Sequence, residues 1–219
     1  MTDPNLNDQA GLYEEQQQNS LAASSYAECL ELLSSNSKVI PQLHYRLGTL
    51  YNTLDNSTGA IFHYRQYLEL LNPDGSGDDT YLVTIRSLAQ LYAKERRFEE
   101  SFVMYDELIQ FLEVTDEHEG ELGTAYHDIG KIHLELKNLD EALENIQTSL
   151  GIRKATENSE SHVAIGKALL DLAKVFCEKK EYDSATNTLL EVRKFLRNLT
   201  FFYINDSLSL HTFKGCVSI

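Results

Sequence analysis

Residues 123–196 read GTAYHDIGKIHLELKNLDEALENIQTSLGIRKATENSESHVAIGKALLDLAKVFCEKKEYDSATNTLLEVRKFL, and this stretch decides the fold. Tyr126, Ile129, Gly130 and His133 stand at i, i+3, i+4 and i+7, as do Leu169, Leu172, Ala173 and Phe176. That spacing lines one face of a helix. After a polar break, each quartet is followed by a second stripe at i, i+4, i+7 and i+8. The first is Ala142, Ile146, Ser149 and Leu150; the second is Ala185, Leu189, Val192 and Arg193. The charge at Arg193 predicts an outer edge that meets solvent. Gly130 precedes Ala142 by the same offset that separates Ala173 from Ala185, so one helical hairpin has been written twice.

The unit also occurs upstream. Ile85, Leu88, Ala89 and Tyr92 precede Ser101, Tyr105 and Leu108; His44, Leu47, Gly48 and Tyr51 precede Ala60, Tyr64 and Tyr67. A weaker copy, Leu6, Gln9, Ala10 and Tyr13, precedes Ala22, Tyr26 and Cys29. Counted in one register, the units start near Asp3, Pro41, Leu82, Gly123 and Gly166, 38 to 43 residues apart. Each unit thus holds a small residue, an aromatic three positions later (His133 in the fourth), and an alanine (Ser101 in the third) opening the second helix. A small side chain lets paired helices approach, and the ring fills the volume beside it.

This order resembles the tetratricopeptide repeat, and the long period is similar to that of kinesin light chains and adaptors of the LGN type. The family's usual period is about 34 residues. HEAT and armadillo repeats are comparably long but lack the small–aromatic–alanine order. The resemblance implies an all-α, right-handed superhelix (an α-solenoid) of five helical hairpins over residues 1–198. Residues 199–219 are left as an irregular apolar tail or atypical cap, holding Phe201, Phe202, Tyr203, Ile204, Leu208, Leu210 and Phe213.

Composition excludes several function classes. The formal net charge of -15 disfavours binding of the whole molecule to nucleic acid or anionic membrane. No apolar run reaches membrane-spanning length, and the polar start carries no secretory signal. Cys29 and Cys177 read as small core residues in a reducing compartment, so a cytoplasmic location is expected. Cys216-Val217-Ser218-Ile219 loosely matches a prenylation box without a polybasic segment before it. No metal-ligand spacing, phosphate loop or nucleophile elbow is present, so no cofactor, metal or enzymatic activity is expected. Glu99–Glu100 and Asp140–Glu141 fall at helix starts, where carboxylates complement the helix dipole.

The resemblance implies that the first helix of each hairpin lines a concave groove. By register the candidate groove residues are Gln42, Tyr45, Arg46, Thr49 and Asn52, then Arg86, Gln90 and Lys94, then His127 and Lys131, then Lys167 and Lys174. With Asp128, Glu135, Asp171 and Glu178 the inventory holds six cations and four acids, a positive contrast inside an acidic chain. The expected role is a non-enzymatic adaptor or scaffold that holds an extended or helical peptide with acidic residues. Arg46 and Arg86 would clamp its carboxylates. Lys131–Glu135 and Lys174–Glu178 are candidate i, i+4 pairs that would consume some of that charge. Cytoskeletal or polarity complexes would be a natural setting. The alternative is a structural subunit that self-associates through the apolar tail. The carboxylate clamp of chaperone-binding members is not met: the corresponding slots hold Asn7, Gly11, Arg46, Val83 and Ser87.

Overall fold

The computed structural model describes residues 4–34, 37–71, 79–114, 118–156 and 159–205. Among them run ten helices in chain order: α1 (Pro4–Glu15), α2 (Asn19–Leu32), α3 (Ile40–Thr53), α4 (Ser57–Leu70), α5 (Asp79–Lys94), α6 (Phe98–Val114), α7 (Glu119–Glu135), α8 (Leu139–Ala155), α9 (Ser159–Glu178) and α10 (Tyr182–Asn205). No strand occurs among the described residues. They pair in order as five hairpins, an all-α repeat fold. The chain divides into two compact units, residues 1–111 and 112–219.

Local chemistry sets the helix limits. Pro41 occupies the first turn of α3, where its missing N–H costs nothing. Asn56 caps α4 by accepting from the Gly59 N–H at 3.0 Å. Glu99 and Glu100 open α6, and Asp140 and Glu141 open α8. α10 runs through to Asn205, seven residues past the expected end of the array; it contains no Gly or Pro to stop it. Residues 206–219, including Cys216 and the rest of the expected tail, lie outside the described residues.

All five hairpin turns share one geometry. Gln17, Asp55, Arg96, Lys137 and Lys180 have φ between 58° and 64°, the left-handed region, and none is glycine. Each stands seven residues after its unit's small residue. The next N–H reaches back to the carbonyl of the ring slot: Gln18 to Tyr13, Asn56 to Tyr51, Arg97 to Tyr92, Asn138 to His133 and Glu181 to Phe176, all at 2.8–2.9 Å. This bond closes a Schellman-type helix end.

In unit 1, Ala10, Ala22, Tyr26, Leu43 and Leu47 form one core cluster, and Ala60, Tyr64, Leu88 and Tyr92 another. In unit 2, Ala142, Ile146, Leu150, Ile165, Leu169, Val175 and Val192 are packed together. A Cβ on Gly48 would stand 2.6 Å from the Tyr64 ring, and one on Gly130 would stand 2.6 Å from Ile146. Only glycine permits those approaches. Ser101 fits the alanine slot because its buried hydroxyl donates to the Ala89 carbonyl at 2.7 Å.

Three side chains depart from the sequence reading. Cys29 is buried, but Cys177 is exposed. On α10 the buried stripe is Ala185, Thr188 and Val192, while Leu189 turns outward. Thr188 tolerates burial because its hydroxyl donates to the Ser184 carbonyl at 2.9 Å.

Candidate functional site

In unit 1 the apolar stripe of α3 (Leu43, Leu47, Leu50) faces the core. A polar stripe occupies the other side: Gln42, Arg46, Thr49 and Asn52 are exposed, and Tyr45 is partly buried. Tyr45 packs against the rings of Tyr64 and Tyr67, with centroids at 6.3 and 5.6 Å. Thr49 accepts from the Tyr64 hydroxyl at 3.3 Å. On α5, Gln90 and Lys94 are exposed and Arg86 is partly buried.

Arg46 is already engaged. Its Nη1 donates to Glu14 Oε2 at 2.6 Å and to the Tyr26 hydroxyl at 3.2 Å. The Tyr26 hydroxyl donates to the same Glu14 oxygen at 2.7 Å. Burial and this bond to Glu14 push the phenol up to about 12, so it remains a donor at all physiological pH. Lys94 pairs with Asp55 of the preceding hairpin. Counting those two acids, unit 1 sets three groove cations (Arg46, Arg86, Lys94) against Glu14 and Asp55. The sequence inventory omitted both carboxylates because they lie outside its groove register.

Unit 2 is different. His127 is buried, and its Nε2 donates to Asp171 Oδ2 at 3.0 Å. Lys174 donates to the other oxygen at 2.7 Å. Burial raises the Asp171 carboxyl, but the bonds from His127 and Lys174 outweigh it and hold the group at about 2. His127 therefore bridges α7 and α9 and offers a partner little surface. Lys131 lies 3.6 Å from Asp128, and Lys174 pairs with Asp171; both pairs are i, i+3 rather than the expected i, i+4. Glu178 instead accepts from Lys137 at 2.9 Å, because the turn of one hairpin sits beside the first-helix end of the next. Lys167 is exposed. The unit's three groove cations face four acids, Asp128, Glu135, Asp171 and Glu178, so the positive contrast expected for the whole groove does not extend here.

Two further features arise where the helices of unit 1 pack. His44 and His63 meet between α3 and α4. A cleft of about 440 Å³ opens between α4, α5 and α6, with Leu68, Leu88 and Tyr92 at its floor and Arg65 and Glu99 among its polar lining. Among the described residues, no group of three or more His, Cys, Asp or Glu side chains could hold a metal ion. No described helix is long and apolar enough to cross a membrane.

The tetratricopeptide repeat family models match residues 79–155 and 121–198, and a further repeat model matches residues 41–70. The chain belongs to the tetratricopeptide repeat family. Proteins of this family are generally non-enzymatic scaffolds. No curated protein sequence matches the chain. Solved structures share the tetratricopeptide fold at low identity. BtubC (BKLC) from P. vanneervenii aligns with TM-score 0.73 at 17% identity, covering 87% of this chain and 78% of that one. A kinesin-light-chain-like protein of Podosopora anserina with nearly identical TPR-like repeats aligns at 0.68 and 16%, covering 90% and 95%. A Rap protein complexed with competence and sporulation factor aligns at 0.61 and 14%, covering 87% of this chain and 52% of that one.

Proposed function

We propose that this chain is a protein-interaction adaptor whose unit 1 holds a peptide segment of a partner along α3 and α5. The observation that carries the reading is the polar stripe of Gln42, Arg46, Thr49 and Asn52, exposed on the side of α3 opposite its core face. Gln90 and Lys94, with the partly buried Arg86, extend the polar surface onto α5 one hairpin on. The Rap protein has been solved with a bound factor, which supports a fold able to hold a partner.

The partner segment carries acidic residues. Arg46 is 43% exposed while bound to Glu14, so an incoming carboxylate can reach its guanidinium from solvent. Arg86 supplies a second guanidinium one hairpin on. Tyr45 and Asn52 contact the peptide between them. No step of this reading requires a cofactor, a metal or a chemical reaction, and a cytoplasmic scaffold is the setting it fits.

Fluorescence-polarisation titration of acidic and basic peptide pools against wild type and Arg46→Glu/Arg86→Glu tests it. The acidic pool should bind wild type and lose about tenfold or more in the variant, the scale of one or two charge-assisted bonds. Equal binding of the acidic pool by both proteins would overturn the reading.

A further inference from the structure

The cleft between α4, α5 and α6 follows from helical spacing. Arg65, Leu68 and Glu69 stand at i, i+3 and i+4 on α4, and Glu99 and Val103 stand at i and i+4 on α6, so each set shares one side of its helix. Leu88 and Tyr92 of α5, one turn apart, close the bottom. They pack in one core cluster with Leu68 and Met104, so the floor is fixed by packing. The walls are apolar and open. Val103 is 60% exposed, and Phe62, three residues before Arg65 on the same side of α4, is 57% exposed. The rim is acidic: Glu69, Glu99 and Glu100 stand against Arg65 in the lining. Arg65 lies 3.9 Å from Glu69, and Arg97 donates to Glu100 at 2.6 Å. That leaves Glu99 exposed, with no ion pair among the described residues.

We propose that this groove docks a helix of a partner protein whose apolar anchor residues are flanked by Lys or Arg. The ridge of a third helix packs between two neighbours, and anchors at i and i+4 then enter one groove. The volume of about 440 Å³ falls within the range of about 300–1,000 Å³ usual for clefts that bury a ligand. Docking removes Phe62 and Val103 from water, and the flexible thioether of Met104 adapts to the shape of the anchor. The charge of the rim selects the partner. Glu99 attracts a cation beside the anchor, which favours encounter and fixes orientation. A second copy of this chain carries the same net charge of -15, so self-docking against an acidic rim is opposed. The acidic segment proposed for α3 and α5 is repelled for the same reason. The two faces therefore take ligands of opposite charge and are independent of one another.

Fluorescence polarisation with the full chain tests it. The probe is a labelled Ala/Lys helix of about twenty residues, long enough to fold alone, with leucines at i, i+4 and i+7. Its counterpart carries Glu in place of Lys. The Lys probe should bind wild type saturably, and the Glu probe should not. Val103→Asp should weaken the Lys probe about tenfold or more, although it adds an acid, because it removes the exposed apolar wall. Glu99→Lys should weaken it about fivefold or more. Glu31→Lys makes the same change of charge at an exposed position of α2 and should leave affinity within about twofold. Val103 and Glu99 are both exposed, so the variants keep the fold, which circular dichroism checks. Absence of saturable binding by the Lys probe, a Val103→Asp protein that binds it as well as wild type, or equal losses from Glu99→Lys and Glu31→Lys would each overturn the proposal. Equal losses would mean that the probe responds to net charge alone.

Discussion

Nδ1 of His44 lies 2.9 Å from Nδ1 of His63, so one ring donates a hydrogen that the other accepts. The rings sit 5.1 Å apart, and His63 also stacks on Tyr51 at 5.4 Å with Phe62 against its edge. A proton added to the pair would place a charge among rings and destroy the acceptor.

That contact predicts acid sensitivity in unit 1. Burial, reinforced by His44, pushes His63 down to about 4, and burial holds His44 below its ordinary value. An unfolded histidine titrates near 6.5. Between about 6.5 and 4 the unfolded chain therefore binds more protons than the folded one, so stability is complete above that window and falls as pH drops through it. Urea unfolding followed by circular dichroism should show a loss of about 2 kcal/mol across the window, allowing for partial exposure. His63→Phe should flatten that slope; an unchanged slope would refute the role of the pair.

The turn of the last hairpin should accept glycine with a gain. Lys180 has φ 63°, a conformation that strains a side chain by about 1–2 kcal/mol. Glycine relieves that strain but gains freedom in the unfolded chain. Lys180→Gly should raise stability by about 0.5 kcal/mol, whereas Lys180→Val should lower it; thermal melts of the two variants decide the sign.

Glycine to alanine should act in opposite directions at two sites. At Gly130 the new Cβ would meet Ile146 Cγ1 at 2.6 Å and the α8 backbone at 3.2–3.3 Å. Overpacking of this kind costs about 1–3 kcal/mol, more than the gain of about 1 kcal/mol in helix propensity. At Gly151 nothing lies within 4 Å, so Gly151→Ala should stabilise by about 0.5–1 kcal/mol. Chemical denaturation of both variants against wild type is the check.

His127→Leu should loosen unit 2. It removes one of the two donors that hold the Asp171 carboxyl at about 2. Leaving a largely buried oxygen without its partner costs about 1–3 kcal/mol. Asp171 stabilises the fold at pH above its unfolded value near 3.9, and that contribution is lost as pH falls toward 2. In the variant the loss should begin at higher pH, readable as a raised Asp171 pKa by NMR; an unmoved pKa would show that Lys174 alone holds the group.

The repeat was legible because its determinants are local and steric. Gly48 and Gly130 stand where a Cβ would collide with the paired helix, and Ala22, Ala60 and Ala142 where little more than a methyl fits. Such requirements recur at fixed spacing, and spacing is what a sequence displays. The turns were less legible, since the residues at positive φ are Gln17, Asp55, Arg96, Lys137 and Lys180 rather than glycine. There the hydrogen bond to the ring-slot carbonyl holds the conformation, and no residue type announces it.

The order of residues alone determined the five hairpins, their register and the two faces of each first helix, because periodicity fixes which side chains share a face. Only the stacking of one hairpin on the next decided what the polar residues do. Arg46 meets Glu14 across 32 residues of chain, Lys94 meets Asp55 across 39, and His127 meets Asp171 across 44. Those partners depend on how adjacent hairpins are offset and rotated, a property of packed surfaces that no single helix carries.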